Sequence, residues 1–214
     1  MTNKSYKYIL FDWDGCLAKT LDIWFNSAKD LLIKNNIKFT DEQISNGFGD
    51  WEFAKKLGVT DNDSFNKKLV ADVNEKLKSV ELYSGAYDIL KKLKLGNKKL
   101  ALVTTGIKSC VLPALDKYNI KNLFDVILTA EDVVNHKPDP EVVNKAIKLL
   151  GAKKEETLII GDGPKDIATG KAAGITTVSF YPKDNERYYP ESDIKSFGAD
   201  FVINDLLELV EIIN

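Results

Sequence analysis

Short apolar runs alternate with longer amphipathic stretches along most of the chain, and one early block breaks the alternation. Six runs, 8–11, 100–103, 126–128, 158–160, 177–180 and 201–203, are brief and almost wholly apolar. That is the pattern of strands buried on both faces of a parallel sheet. Between the later runs, helical spacing predicts helices over 85–93, 109–118 (its start blurred by Pro113), 140–150 (stopped at Gly151), 164–173 and 205–213. The early block is helical throughout. Thr20 stands where it would cap a helix with Ile23, Trp24, Ala28, Leu31 and Leu32 on one stripe, ending near Asn35 and Asn36. Thr40 opens a second segment that dissolves at Asn46-Gly47-Phe48-Gly49-Asp50, residues 51–57 read as a short helix, and Asp63 or Ser64 opens a longer one carrying Phe65, Leu69, Val73, Leu77 and Val80.

Strict alternation of strands and helices implies an α/β protein with a doubly wound parallel sheet. A strand-free block of this length directly after the first strand is too large for an ordinary crossover and predicts an inserted helical unit. The expected division is a discontinuous core, 1–19 and 83–214, and a helical domain, 20–82. The stretch 181–196, rich in tyrosine, proline and charge, is a long connection to which the pattern assigns no element.

Composition narrows the partners. With 214 residues, 44% hydrophobic, the chain has enough apolar material for one full core and a small second module. Lys plus Arg number 30 against 32 Asp plus Glu, so no basic field points to nucleic acid, and a small-molecule partner is expected. The apolar run near the N-terminus is too short for a signal peptide, and no segment reaches the roughly 18 apolar residues of a membrane span. The expectation is a cytoplasmic protein, monomeric or weakly dimeric. Cys16 and Cys110 lack metal-ligand spacing and read as reduced thiols, Cys16 as a tolerated small residue. His136 is the only histidine, which removes histidine-rich zinc sites and leaves a serine triad one possible base.

The candidate chemistry begins at the end of the first run, Asp12-Trp13-Asp14-Gly15. Residues two apart on an extended chain point the same way, so both carboxylates should project past the strand, where they repel unless a cation is shared or one is protonated. Taken alone, this is equally an ordinary strand-end turn. Three later stretches decide: Thr104-Thr105-Gly106 after the second run, Lys137 ahead of a helix after the third, and Asp162 with Asp166 after the fourth. In open parallel sheets the carboxyl ends of the strands share one rim, so four segments deliver acids, a hydroxyl and an ammonium to one place.

Four stretches carry a resemblance: ILFDWDGCLAKT, LALVTTG, HKPDPE and IIGDGPKDIATGKAAG, in this order and at these separations. They are similar to the signature motifs of the haloacid dehalogenase-like superfamily, in its phosphoglycolate phosphatase and β-phosphoglucomutase-like branch. The resemblance spans essentially the whole chain and implies a Rossmann-like core with a helical cap. It also implies a magnesium-dependent phosphatase acting on a small phosphorylated metabolite, phosphoglycolate-like or sugar-phosphate-like. Asp12 would be the nucleophile that becomes an aspartyl-phosphate, and Asp14 the general acid and base. Magnesium would be held by Asp12, the backbone carbonyl of Asp14 and Asp162, with Asp166 orienting a water or Lys137. Lys137, Thr104 and the amide of Thr105 would bind phosphoryl oxygens. Thr20, Trp24, Gly47, Phe48 and Gly49 would meet the leaving group. An acid at position 14 favours phosphate chemistry over dehalogenation, which has no leaving alkoxide to protonate.

Some positions depart from the family pattern: Cys16 for Thr or Val, Lys19 for an acid at the first hinge, Ser84 for Pro, Gly163 for Ser. Two other readings stay open at this level, a sugar phosphomutase using the same aspartyl-phosphate and a non-catalytic module that keeps the fold.

Overall fold

The computed structural model describes residues 5–213. Part of the N-terminal stretch read against a signal peptide, residues 1–4, lies outside the described residues. Six strands, β1 (Tyr8–Phe11), β2 (Lys99–Val103), β3 (Val126–Leu128), β4 (Thr157–Gly161), β5 (Thr176–Phe180) and β6 (Phe201–Ile203), pair in parallel in the order β3-β2-β1-β4-β5-β6. The chain lays β2 and β3 to one side of β1, then returns to its other side with β4. The doubly wound α/β sheet is therefore present, and the crossover direction reverses between β1 and β4, where such sheets form their crevice.

The strand-free insert between β1 and β2 holds α1 (Leu21–Lys34), α2 (Asp41–Asn46), α3 (Phe53–Lys56) and α4 (Asn62–Lys76). Its entry and exit run side by side: the Lys19 amide donates to the Glu81 carbonyl at 2.8 Å and the Tyr83 amide to the Leu17 carbonyl at 3.0 Å. Thr40 caps α2 in a reciprocal pair with Gln43. Two expected caps are corrected. Thr20 precedes α1 in helical backbone conformation and its hydroxyl caps nothing, so α1 begins without a side-chain cap. Asp61, not Asp63 or Ser64, caps α4 by accepting from the Ser64 amide at 2.9 Å, which places both expected residues inside the first turn.

The core helices are α5 (Ala86–Leu95), α6 (Lys108–Lys117), α7 (Glu141–Leu150), α8 (Pro164–Ala173), α9 (Glu191–Phe197) and α10 (Leu209–Ile213). Pro113 lies inside α6 rather than near its start, at the cost of one backbone bond. Successive residues of β1 serve opposite faces. Ile9 and Phe11 join α5, α6, α10 and the insert's own apolar residues in one cluster, while Leu10 packs with Val142, Val143 and Ala146 of α7. This two-sided burial is why the strands read as unbroken apolar runs. Among the described residues no helix is long and apolar enough to cross a membrane.

The connection after β5 is ordered by contacts rather than by pattern. A 3-10 turn, Lys183–Asn185, and α9 frame Tyr188 and Tyr189. The Asn185 side chain donates through Nδ2 to the Gly15 carbonyl at 2.9 Å, and its Oδ1 accepts from the Tyr83 hydroxyl at 2.5 Å. Arg187 and the Tyr188 hydroxyl both reach Asp22 of α1, and the Tyr188 ring lies 5.4 Å from that of Phe25.

Candidate active site

β1 ends in a loop that can close only around a glycine. Gly15 has φ +74°, and a Cβ there would lie 2.3 Å from Asp162 Oδ2. The turn brings the end of β1 against the end of β4. Lys137, buried ahead of α7, reaches across to donate to Asp12 Oδ1 at 2.7 Å and Asp166 Oδ1 at 2.6 Å. Asp12, Asp162 and Asp166 each offer a carboxylate oxygen, all within 4.8 Å of one another. Asp162 Oδ2 is buried without a hydrogen-bond partner.

Two of the three buried carboxyls thus share one ammonium, and Asp162 stands beside them without it. Burial first, then the neighbouring Asp166 charge, pushes the Asp12 and Asp162 carboxyls up from their ordinary range, with Lys137 opposing at Asp12. Burial alone would lower Lys137, but Asp12 and Asp166 on either side outweigh it and hold the ammonium charged. One divalent cation would relieve this excess of negative charge, and hard carboxylate oxygens suit it.

Asp14 lines the same cavity as Asp12, as residues two apart predict, but its carboxyl has a different partner. Trp24 of α1 donates its indole N–H to Asp14 Oδ1 at 2.9 Å, so the Asp14 side chain stands outside the carboxylate cluster. Burial raises its carboxyl, with the Thr20 hydroxyl and Trp24 favouring the charged form. Of the two effects expected to favour a protonated Asp14, a dry closed site and proximity to Asp12, burial is the larger.

Thr104 is buried, and its hydroxyl oxygen accepts from the Gly106 amide at 2.9 Å, which leaves the hydroxyl proton free to donate. Thr105 lines two adjoining cavities. The first, about 90 Å³, is polar and walled by Asp12, Asp14, Lys137, Asp162, Lys165 and Asp166. The second, about 80 Å³, lies on the other side of Asp14 among Leu21, Trp24, Ile44, Gly47, Phe48, Gly49, Trp51, Phe53 and Leu69. The loop after α2 roofs both. Gly49, φ +68°, comes so close that a Cβ would sit 2.7 Å from Thr105 Oγ1, and Lys165 donates to the Phe48 carbonyl at 2.5 Å.

Trp24, Gly47, Phe48 and Gly49 therefore face the cavities as expected. Thr20 does not: it is fully buried, lines neither cavity, and its hydroxyl has no well-formed hydrogen bond. Lys19, at the first hinge, pairs with Asp184 at 2.8 Å. Cys16 is sealed in, and burial together with Asp12 and Asp162 pushes its thiol far up, so it is unreactive. Several wall residues were missed, Lys165 and Tyr189 among them. Lys165 adjoins Asp166 in the fourth motif, a usable signal. Tyr189 comes from the connection after β5, and its hydroxyl lies 3.1 Å from where a Gly163 Cβ would be, filling the space of the side chain that this position lacks.

A sequence model described as haloacid dehalogenase-like hydrolase matches residues 9–180. The chain belongs to this family. It is 33% identical to the pyrophosphatase PpaX of Halalkalibacterium halodurans over 96% of this chain and 95% of that protein. Its fold superposes with a TM-score of 0.85 on a crystal structure described as a haloacid dehalogenase-like hydrolase from Bacteroides fragilis, 27% identical, covering 96% of this chain and all of that one (100%). A structure from Lactobacillus plantarum described as a phosphoglycolate phosphatase gives 0.84 at 20% identity, covering 97% of this chain and 99% of that one, and shows the same fold. The protein is thus a haloacid dehalogenase-like hydrolase.

Proposed function

We propose that the protein is a magnesium-dependent phosphatase of a small phosphorylated metabolite, working through an aspartyl-phosphate on Asp12. The observation that carries this reading is the buried cluster of Asp12, Asp162 and Asp166 around a single lysine, with an unpartnered oxygen on Asp162. Those donors fit a hard divalent cation. Asp12 and Asp162, with the Asp14 carbonyl, would hold it, and when bound it would neutralise the phosphate facing these acids.

The chain's own groups divide the work. Lys137 holds one Asp12 oxygen, leaving the other to attack phosphorus as the P–O bond to the leaving group breaks. Asp14, whose carboxyl burial pushes up, gives its proton to the departing oxygen. It then takes a proton from the water that attacks the phospho-enzyme, which releases phosphate and restores the Asp12 carboxylate. Thr104 and the Thr105 amide donate to the equatorial oxygens. Residues 20–82 act as a cap that excludes bulk water, and the setting is cytoplasmic.

The test is phosphate release from a general aryl phosphate with magnesium, with chelator, and after magnesium is restored. Activity lost and recovered in step supports the reading. Turnover that ignores chelation, or an Asp12→Asn variant of full activity, overturns it.

A further inference from the structure

The two cavities on either side of Asp14 differ in chemistry. Everything positively charged that lines them, Lys137 and Lys165, belongs to the polar one. The rings of Trp24, Phe48, Trp51 and Phe53, with Ile44 and Leu69, wall the other, whose only acidic or basic lining residues are Asp14 and Asp50. Asp50 is occupied by the exposed Lys56 at 2.6 Å, and the Trp24 N–H is already given to Asp14. An anion placed there would lose its water and gain no cation, next to two acids.

Resting on the phosphatase reading above, we propose that the substrate is the phosphate ester of a small uncharged, mainly apolar alcohol, aliphatic or benzylic, whose body lies in the apolar cavity while the phosphoryl group occupies the polar one. Asp14 stands between the two, where the bridging oxygen must receive its proton. The volume of about 80 Å³ holds roughly five to eight water-sized groups, which excludes nucleosides. Sugar hydroxyls would be buried there without partners. A second phosphate or a carboxylate on the leaving group is disfavoured, which separates this chain's preference from the pyrophosphate named for its relative.

Isobutanol, glycolate and phosphate are leaving groups of similar size that differ in charge. With the full chain and magnesium, kcat/KM for isobutyl and benzyl phosphate should exceed that for phosphoglycolate and pyrophosphate by at least about tenfold. Trp51→Arg, at a half-buried wall position, should close that gap by about tenfold, while Trp51→Phe keeps it. Phosphoglycolate or pyrophosphate preferred by the wild type overturns the inference and leaves the phosphatase reading standing. A ranking unmoved by Trp51→Arg overturns the assignment to this cavity. No magnesium-dependent phosphate release from any ester overturns both.

Discussion

The two ends of the sheet treat carboxylates in opposite ways. At the entry end, Asp125 just before β3 accepts from Lys94 at 2.8 Å, Lys99 at 3.0 Å and the Leu100 amide at 2.9 Å. Burial works to raise its carboxyl, but these donors outweigh it and bring the pKa to about 2. Nearby, Lys7 and Glu156 pair at 2.9 Å across β1 and β4. At the exit end, three deeper carboxyls cluster beside one lysine that reaches only Asp12 and Asp166, and Asp12 and Asp162 are pushed upward. One end has solved its electrostatics for stability; the other keeps an unsolved excess of charge that only a bound cation and substrate complete.

The largest test of that contrast is Asp12→Asn, expected to lower kcat by about 10⁴-fold or more without lowering the melting temperature, because it removes a buried charge the fold disfavours. Lys137→Met should cost about 3–5 kcal/mol of unfolding free energy in urea at neutral pH, since two buried carboxylates lose their counterion. The loss should shrink in acid, where the Asp12 carboxyl, already pushed up by burial, is protonated. Magnesium at a hundredfold over its Kd should add about 2.7 kcal/mol. Asp162→Asn should abolish most of that gain, and lower pH should weaken it because protons compete for the same oxygens. Asp125→Asn should leave activity unchanged and cost about 1–2 kcal/mol. Its carboxyl sits below its ordinary value of 3.8, so the stabilisation is complete above that pH and fades as pH falls toward about 2. A variant that tracked wild type at every pH would remove the contrast.

Most of the sheet and the rim were legible, because buried parallel strands announce themselves as apolar runs and strand ends converge by topology. The helix Pro164–Ala173 follows from proline at its start and the αL Gly174 at its end. Cap assignments failed where several acceptors lie within one turn, as in Asp61-Asn62-Asp63-Ser64, or where a hydroxyl faces a buried acid instead, as at Thr20. Local pattern could not reveal Tyr189 at the site or Asn185 beneath it. Asn185 bonds residues 170 and 102 positions away, Tyr189 meets a glycine of the fourth motif, and 181–196 carries no periodicity to report either. The splitting of the rim into a charged and an apolar chamber also escaped the sequence, since it depends on how the loop after α2 folds back over Thr105.

Surface connections ordinarily accept insertions and deletions. The stretch from β5 to α9 holds Gly15 and Tyr83 through Asn185, Asp22 through Arg187 and Tyr188, and the wall beside Gly163 through Tyr189, all within five residues. Adding or removing a single residue there would misregister every one of these moorings together, so a segment with the look of a tolerant loop has the length constraint of a strand.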